Sequence, residues 1–495
     1  MDNDRSRLEV VHFVLVPLVA QGHMIPTIDL GRLLAQLGMQ VTLITTPLNI
    51  IRYQLSVDRI RSSGLPMDFV PLPFPASEVG IPEGFENIDS WPFPFAIVDF
   101  FKALSMMAAP LEAYIREERK KKPGIPICLI SDFSNPWTSE VSKNLGIPRY
   151  VFYSVCCFTL NLVKSFELDG GGDGNTVYVV PDLDERIEVP RPEPEIFLSG
   201  SEQEYVRSMI MDSDDTADGI IVNSVYELER MFVNRFSKMI GKKIWTVGPV
   251  SLCNEEKLDM AIRGSKSSSE NDKIQHFLDS MNPKSVVYFS LGSLMQPSLV
   301  LLKEIGKGLE ATGHPFIWVI RATGANLEAI EEWLKTNGLE ERTRNRSLIL
   351  RGWAPQLLIL EHPSTGAFFT HCGWNSCLEG ITTGVPLITW PCFVDQFSNE
   401  SFIIDVVKIG VSIGVKEVIY SKEPDDVWVK SETIKTAVDR IFDGGDEGDD
   451  RRKRTAHLRD TAKIAFDAGG SSYQNLILFS KQVVMDHTVY TNKES

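Results

Sequence analysis

The sequence predicts an α/β protein in which two Rossmann-like halves face each other across a cleft. Short apolar segments, typical of parallel strands buried on both faces, alternate with segments whose apolar residues recur at helical spacing. This alternation occurs in two series, and a largely polar stretch at residues 251–271 separates them. A chain of 495 residues is also too long for one ordinary core, so two domains are expected.

Composition and charge narrow the class of protein. The chain is 43% hydrophobic and 23% charged, as globular proteins are, and a formal net charge of −16 without a groove-sized basic patch argues against nucleic acid as a partner. Its seven cysteines predict reduced thiols, and none has zinc-ligand spacing. Because no run of about 18 apolar residues and no signal-peptide layout occur, we expect a cytoplasmic protein without a transmembrane segment.

The amino-terminal half opens with a strand, a loop, a helix and a second strand. We predict the strands at residues 10–16 and 41–45, and a helix from Pro26 until Gly38 ends its apolar periodicity. This is the opening unit of a doubly wound sheet, in which ligands bind beyond the carboxyl ends of the strands. His23 lies at such a position.

The rest of this half continues the alternation. Residues 63–91, rich in Pro, Gly and Phe, are predicted to be irregular surface. Another apolar strand, at residues 125–130, ends at Ser131-Asp132-Phe133. The glycine-rich loop at residues 169–174 lacks the G-x-G-x-x-G spacing of a phosphate loop. Further strands are predicted at residues 149–152, 219–222 and 244–247, and helices at 92–119, 136–145 and 225–239.

A second series follows the polar stretch. We divide the chain into domains at residues 1–250 and 272–470, joined by a linker at 251–271 and followed by a final helix and tail at 471–495. Residues after 407 are predicted to be helical, with the last helix at 471–485. Strands are predicted at residues 286–289, 316–320 and 348–351, and helices at 299–312 and 397–407.

Residues 353–396 are the most informative stretch. At its centre, residues 370–376 predict a buried strand end, a tight turn at Gly373, and a helix capped by Asn375 or Ser376 that runs to about Thr383. A helix N-terminus behind a short loop is an anion site, and His371, Asn375 and Ser376 would add side-chain donors. The stretch therefore predicts one face of a nucleotide pocket.

This stretch closely resembles the signature box of the plant UDP-dependent glycosyltransferases, family 1 of the glycosyltransferases. Gln21-Gly22-His23, Ser131-Asp132-Phe133 and residues 223–229 fit the same family, and the resemblance covers essentially the whole chain. Residues 84–89, Gly-Phe-Glu-Asn-Ile-Asp, resemble the branch that modifies flavonoids, triterpenoids, steroids and hormones.

The resemblance implies a GT-B fold, with the acceptor in the first domain and the UDP-sugar mainly in the second. The final helix would pack back on the first domain. The resemblance also implies inversion at the anomeric carbon without a metal or other cofactor, and a protein that works as a monomer.

Two catalytic residues are implied. His23 would act as general base toward an acceptor hydroxyl, and Asp132 would orient its ring and stabilise the imidazolium. The alternatives are a structural loop histidine and a helix N-cap. The two roles require that Asp132 lie within hydrogen-bond reach of His23.

The nucleoside ligands implied by the resemblance lie in the first part of the box and its helix. Trp353 would stack on uracil, and Ala354 would present backbone groups to its edge. Gln356 and Glu379 would bind the ribose hydroxyls. The alternatives are a core tryptophan and an exposed helix carboxylate.

The diphosphate would be bound by His371, Asn375 and Ser376, with Ser293 contributing from another loop. Neutral donors and the positive end of a helix dipole would then stabilise the departing UDP, a task that a metal performs elsewhere.

Three further residues of the box, Trp374, Asp395 and Gln396, would face the transferred sugar. In this family a glutamine at the last position goes with UDP-glucose and a histidine with UDP-galactose, so Gln396 predicts glucose. Asp395 and Gln396 have an alternative as a turn and helix cap. The D-x-D sequences at residues 182–184 and 212–214 lie in polar connecting stretches, and we expect no metal there.

The acceptor pocket is predicted to be apolar and suited to a flat or polycyclic molecule, although each candidate has an alternative as a core residue. The candidates are Leu18, Val19, Phe85, Trp91, Phe133, Trp137, Val155, Phe158 and Phe197.

The sequence therefore predicts an inverting UDP-glucosyltransferase that makes β-glucosides of a lipophilic plant small molecule. Another UDP-sugar donor, or addition of a second sugar to a glycoside, remains open. A UDP-sugar epimerase-like enzyme is a rival, and so is an NAD-dependent oxidoreductase, although the glycine fingerprint is absent after the first strand. The third rival, a catalytically inactive binding protein, is disfavoured by the presence of both His23 and Asp132.

Overall fold

A seven-stranded parallel sheet forms the centre of the first domain in the computed structural model. Its strands are ordered β3-β2-β1-β4-β5-β8-β9, and every neighbouring pair is parallel. The central strands are mostly apolar and are buried along their whole length, as expected for a sheet covered on both faces. The strands are β1 (His12–Val16), β2 (Gln40–Thr45), β3 (Met67–Pro71), β4 (Ile127–Asp132), β5 (Arg149–Tyr153), β8 (Gly219–Val222) and β9 (Ile244–Thr246), while β6 (Val177–Val180) and β7 (Ile187–Pro190) form a separate antiparallel hairpin. The structure describes residues 8–90, 97–168, 177–180, 186–190, 208–209, 211–263, 270–322, 324–416 and 429–494.

Helices connect these strands and cover the sheet. They are α1 (Gln21–Gln36), α2 (Pro47–Arg52), α3 (Gln54–Ser62), α4 (Ile97–Met106), α5 (Ala108–Lys121), α6 (Thr138–Leu145), α7 (Cys157–Leu168) and α8 (Tyr226–Ile240). None of the helices in the described part of the chain is long and apolar enough to span a membrane.

The second domain repeats the architecture with six parallel strands, ordered β12-β11-β10-β13-β14-β15. They are β10 (Val286–Ser290), β11 (Phe316–Ile320), β12 (Ser347–Arg351), β13 (Thr365–Thr370), β14 (Leu387–Thr389) and β15 (Gly410–Ser412). The helices from the linker onward are α9 (Lys257–Ile262), α10 (Asn271–Asp279), α11 (Leu299–Ala311), α12 (Gly324–Asn337), α13 (Leu339–Thr343), α14 (Gln356–Leu360), α15 (Trp374–Thr383), α16 (Gln396–Ser401), α17 (Ser431–Ile441), α18 (Asp446–Phe466) and α19 (Ser471–Glu494).

The last helix, α19, returns to the first domain. Phe479 is fully buried, and its ring lies 5.6 Å from the ring of Phe13 on β1 and 4.9 Å from that of Tyr150 on β5. The Tyr150 hydroxyl donates a hydrogen bond to Asp486, and Tyr490 donates one to Asp218. The first domain is thus completed by the end of the chain.

A continuous apolar cluster joins the two domains behind the cleft. It includes Phe158 on α7, Phe232 on α8 and Phe402, whose rings contact one another, and Trp374 on α15 packs edge-on against Phe402. The helices that carry the site are therefore anchored to one shared core.

Several predicted elements are wrong in extent. Residues 67–71, expected to be irregular, form the edge strand β3, because Met67 and Phe69 alternate inward within a proline-rich stretch. Helix α1 begins at Gln21 and not at Pro26, since Asp89, distant in sequence, accepts a hydrogen bond from the Gln21 N–H.

The carboxyl-terminal part differs as well. Strand β15 interrupts the stretch predicted to be helical, and the helix predicted at 397–407 is α16 followed by a π-helical turn at Phe402–Val406. Residues 92–96 of the helix predicted at 92–119 lie outside the described residues, and the rest is two helices, α4 and α5, on either side of Met107. Neither α2 nor α3 was predicted, and α19 extends nine residues beyond the predicted 485, to Glu494.

Candidate functional site

A cleft lies between the domains, at the carboxyl ends of both sheets. It encloses about 1060 Å³ of space, part of it open to solvent. Several of the residues that line it follow a strand: Gln21 and His23 follow β1, Ser293 follows β10, and His371 follows β13. This is where the doubly wound sheets were expected to bind ligands.

His23 and Asp132 form a hydrogen-bonded pair at the first-domain wall. The His23 Nδ1 lies 2.7 Å from Oδ2 of Asp132, and the other carboxylate oxygen accepts from the Ser134 N–H at 2.9 Å. The Asp132 side chain is almost fully buried, whereas His23 is 22% exposed and lines the cleft. Because the carboxylate accepts, Nδ1 carries the proton and Nε2 is the basic nitrogen of the neutral ring.

The surroundings of His23 tune its basicity. Burial would lower its pKa, but the charge and hydrogen bond of Asp132, with smaller contributions from Asp395 and Asp89, raise the pKa above the ordinary value of 6.5. The ring of Phe133 lies 5.6 Å from that of His23 and stacks on Tyr153 at 4.7 Å. The pair can accept a proton at Nε2 and stabilise the resulting imidazolium.

The predicted nucleoside ligands lie together at one end of the cleft. Trp353 is half-buried, and Ala354 and Gln356 line the wall beside it. The Gln356 Nε2 donates to Glu379 Oε2 at 2.9 Å and to Ser376 Oγ at 3.0 Å. Glu379 is buried and not exposed, because α15 turns it toward the linker.

Arg263 was missed by the sequence analysis. Its guanidinium donates from Nη1 to Oε1 of Glu379 and from Nε to Oδ2 of Asp29 at 2.8 Å. Burial alone would lower the pKa of Arg263, but the two carboxylates raise it. Nothing in the polar linker pattern marks this arginine as a cleft residue.

His371 lines the same cleft, directly after β13. Burial and the neighbouring Arg321 lower its pKa to about 4, so the ring is neutral. Gly292 and Gly373 lie against the ring, and a Cβ at either position would lie within 2.6 Å of it. The left-handed residue of the turn is Cys372 (φ 67°), and Gly373 (φ −57°) provides space instead of the conformation that was predicted.

The cap prediction for α15 is also wrong. The helix begins at Trp374 with Gly373 at the N-cap position, and no side chain caps it. Asn375 instead bridges the domains, donating to the Gly22 carbonyl at 2.7 Å and accepting from Asn223 Nδ2 at 3.0 Å. Residues 373–376, at the start of α15, line the cleft, where an anion would accept hydrogen bonds from the free N–H groups of the helix.

Arg321, at the end of β11, is a second cleft cation that was missed. Its guanidinium donates to the Ser293 carbonyl at 3.2 Å and to Gln21 Oε1 at 3.5 Å. The Ser293 hydroxyl donates to Asp89 Oδ1 at 3.2 Å, and Asp89 pairs with Arg52 at 3.0 Å. Arg321 thus places a positive charge near His371, while Arg52 and Asp89 pair with each other.

The predicted sugar ligands separate into two groups. Asp395 lines the cleft, burial raises its pKa, and Asn399 donates to its Oδ2 at 2.8 Å. Gln396 is buried outside the lining, and its Oε1 accepts from the N–H groups of Cys392 (2.9 Å) and Phe393 (3.1 Å). Trp374 borders the cleft but is almost wholly core, and its Nε1 donates to the Asn223 carbonyl at 2.7 Å, so its sugar-facing role is not supported.

Most acceptor candidates lie behind the lining and not on it. Val155 lines the cleft, and Phe133 contacts His23. Leu18, Val19 and Phe158 are buried in the core and do not line the cleft. Phe85 and Trp137 are half-buried against the first-domain core, and Trp91 and Phe197 lie outside the described residues.

No group of three or more His, Cys, Asp or Glu side chains suited to a metal occurs among the described residues. In the D-x-D sequence at 212–214, Ser213 accepts from Arg149 at 2.8 Å and Asp214 accepts from Tyr153 at 2.7 Å, so both have structural partners. The triplet at 182–184 lies outside the described residues, as does the glycine-rich loop at 169–174. The described cysteines are all buried and free.

Comparison with family models agrees with this geometry. Residues 221–423 match the model described as UDP-glucoronosyl and UDP-glucosyl transferase, and residues 9–252 match that of the glycosyltransferase N-terminal domain. UDP-glycosyltransferase 73C2 of Arabidopsis thaliana is 42% identical, and the alignment covers 98% of each chain. UDP-glycosyltransferase 73C11 of Barbarea vulgaris is 42% identical over 94% of this chain and 95% of its own.

Solved structures show the same architecture. Glycyrrhiza uralensis UGT73P12, complexed with glycyrrhetinic acid 3-O-monoglucuronide, superposes with a TM-score of 0.86 at 35% identity and covers 98% of both chains. Arabidopsis thaliana UGT89C1, complexed with UDP-L-rhamnose, superposes with a TM-score of 0.71 at 28% identity, over 96% of this chain and 99% of that one.

Proposed function

The chain belongs to the plant family 1 UDP-dependent glycosyltransferases, and from that premise we propose that it transfers glucose from UDP-glucose to a hydroxyl of a lipophilic small molecule, with inversion. The family assignment establishes a UDP-glycosyltransferase acting on small molecules in a GT-B fold, as predicted. The donor sugar, the acceptor and the catalytic residues are the proposal.

The hydrogen bond between His23 and Asp132 carries the mechanism. Nε2 of His23 takes the proton of the acceptor hydroxyl as its oxygen attacks the anomeric carbon. A carbon–oxygen bond forms on one face of the sugar, the bond to the diphosphate oxygen breaks on the other, and UDP leaves with the bonding electrons. Asp132, at 2.7 Å, stabilises the imidazolium until the proton reaches solvent.

The residues of the second domain that line the cleft support one orientation of bound UDP, which runs from uracil through ribose to the diphosphate. Trp353 stacks on uracil, and the diphosphate lies against His371 and the start of α15. Gln356 and Glu379 bind the ribose, with the Glu379 carboxylate accepting hydrogen bonds from its hydroxyls. Arg321 adds a positive charge beside the leaving group, where negative charge grows during bond cleavage. Ser293 and Ser376 line the same end.

The sugar end supports a hexose donor. Asp395 presents a carboxylate to the cleft, and Gln396 fixes the preceding loop. Glucose is proposed as the hexose because residue 396 is a glutamine, which goes with UDP-glucose at this position of the family's signature box. Because UGT89C1 has been crystallised with UDP-L-rhamnose, another UDP-sugar is the alternative donor.

The acceptor is proposed to be a hydrophobic ring system with a hydroxyl near His23. Support comes from Phe133 beside the base, from Val155 in the lining, and from UGT73P12, whose structure contains a glycosylated glycyrrhetinic acid. That ligand also makes addition of a second sugar the alternative reaction.

The test is to incubate the protein with UDP-glucose, UDP-galactose, UDP-glucuronic acid and UDP-rhamnose, each with a panel of flavonoid and triterpenoid aglycones and glycosides. Mass spectrometry should show acceptor plus one hexose, with UDP released in equal amount. Epimerised UDP-sugar without an acceptor adduct would refute the transferase proposal. His23→Ala should lose transfer by about 10²- to 10⁴-fold while binding UDP normally. Transfer at the wild-type rate, or a loss of transfer explained by an equal loss of UDP binding, would refute the role of His23 as general base.

A further inference from the structure

Arg263 connects the two domains at the floor of the cleft. It directly follows α9 in the linker, its side chain is about nine-tenths buried, and it lines the cleft beside Gln356 and Glu379. Its Nε donates to Asp29 on one side and its Nη1 to Glu379 on the other. One linker cation therefore contacts one carboxylate from each domain.

The first-domain partner belongs to the helix that carries the proposed base. Asp29 lies on α1, six residues after His23, and only 2% of it is exposed. Its other oxygen, Oδ1, accepts from Asn254 Nδ2 at 2.9 Å. Because a helix is stiff over this length, the position of Asp29 and that of His23 are coupled.

The second-domain partner is the proposed ribose ligand. Arg263 contacts Oε1 of Glu379 and Gln356 contacts Oε2, so both carboxylate oxygens are fixed in direction. A carboxylate has about four lone-pair sites, and two remain for hydroxyl donors from a sugar. The plane of the carboxylate is thus set before any nucleotide arrives.

We propose that Arg263 is a positioning residue for donor binding: it orients Glu379 toward the ribose hydroxyls and ties that carboxylate to the helix of His23. This inference rests on the ribose-binding role of Glu379 proposed above. A guanidinium suits the task because its planar fork donates in two directions at once, which an ammonium group cannot do with the same geometry. Without it, the buried Glu379 would lose the cation that contacts Oε1 and would turn away from the cleft.

The experiment measures binding of UDP and of 2′,3′-dideoxy-UDP by calorimetry, since the two nucleotides differ only in the ribose hydroxyls. The wild-type protein should prefer UDP. Arg263→Met should weaken UDP binding by about 10- to 100-fold, the loss of one charged contact, while dideoxy-UDP changes by less than about threefold. Arg263→Lys keeps the charge without the fork and should show an intermediate loss, which provides the test if the methionine variant does not fold.

Two further variants separate the possible outcomes. Arg59 pairs with Glu256 and Asp259 of the same linker but does not line the cleft, so Arg59→Met should leave both affinities unchanged. An equal loss for both nucleotides in Arg263→Met, or no loss, overturns the inference. Glu379→Gln should itself lose the preference for UDP; if it retains that preference, the proposed ribose role fails, and the inference built on it fails with it.

Discussion

Nδ1 of His23 and Oδ2 of Asp132 are 2.7 Å apart, although 109 positions separate the two residues in the chain. The contact follows from the sheet order. Strands β1 and β4 are parallel neighbours, with Val16 opposite Ser131, so the residues that follow them emerge at the same edge. Because Nδ1 carries the proton that is donated to Asp132, Nε2 is the basic nitrogen that can face the cleft.

The first prediction concerns the pH dependence of transfer. Only neutral His23 can accept a proton, and Asp132 raises its pKa above 6.5, so kcat/KM should rise with pH through that pKa and level off above it. Asp132→Asn removes the charge and leaves burial, which lowers the pKa. The acid limb should therefore move to lower pH, and the plateau should fall by about 10²- to 10⁴-fold.

Initial rates at saturating UDP-sugar, measured between pH 5 and 9, test this shift. Asp68→Asn is the matched control, because Asp68 forms an exposed pair with Arg61 far from the cleft. His371 has a pKa of about 4 and should not contribute to the profile. An unchanged acid limb in Asp132→Asn would contradict the proposed pairing.

The alternation of apolar strands and periodic helices was sufficient to predict two Rossmann-like domains, because buried parallel strands are apolar along their length. Edge strand β3 was missed because it lies in a proline-rich stretch, and edge strand β15 because it is only three residues long and begins with a glycine. The start of α1 was missed because its capping carboxylate, Asp89, is 68 residues away. Local patterns do not contain such long-range partners.

In the site, too, residues that belong to a local motif were predicted and residues from distant segments were missed. The donor residues at 353–396 follow one another along the chain, so one motif predicted most of the wall. Arg263 and Arg321 come from other segments, and single arginines in a polar linker and after a strand carry no signal of their own. The backbone at Cys372 (φ 67°) and Val394 (φ 56°) is left-handed without glycine, which composition could not predict.

The second prediction concerns Arg321. Arg321→Met removes the positive charge and should weaken the binding of UDP by about 10- to 100-fold, because a hydrogen bond to a charged group contributes about 1.5–3 kcal/mol. Uridine lacks the diphosphate, so Arg321→Met and the wild-type protein should bind it with the same affinity. Calorimetric titration of both ligands measures the difference.

Arg351 provides the control for this substitution. It lies at the end of the adjacent strand, β12, and pairs with Glu331 and Glu340 outside the cleft lining. Arg351→Met should leave both affinities unchanged. Equal losses for UDP and uridine in Arg321→Met would mean that Arg321 supports the fold of the cleft and does not face the diphosphate.

The third prediction concerns Gln396. Its Oε1 accepts from two buried N–H groups, those of Cys392 and Phe393, and one histidine ring nitrogen cannot replace it for both. Gln396→His should therefore shift the loop that carries Asp395 and change donor preference away from UDP-glucose. The free energy of unfolding should fall by about 1–3 kcal/mol.

Competition between UDP-glucose and UDP-galactose for one acceptor measures the preference as a product ratio. Gln396→Glu keeps an acceptor oxygen for both N–H groups and should retain the loop. If Gln396→His leaves the product ratio unchanged, Gln396 does not determine the donor sugar.

The fourth prediction concerns the return of the last helix to the first domain. Phe479 is fully buried between Phe13, Tyr150 and Trp245, with ring centroids 5.6, 4.9 and 6.1 Å away. Phe479→Ala should leave a cavity between α19 and the sheet and cost about 3–5 kcal/mol. The preceding residue, Leu478, is 46% exposed, so Leu478→Ala should change stability by less than about 0.5 kcal/mol. Urea unfolding of the two variants distinguishes them: similar small losses would show that α19 does not contribute to the stability of the first domain, whereas a large loss for Phe479→Ala alone would establish the end of the chain as part of that core.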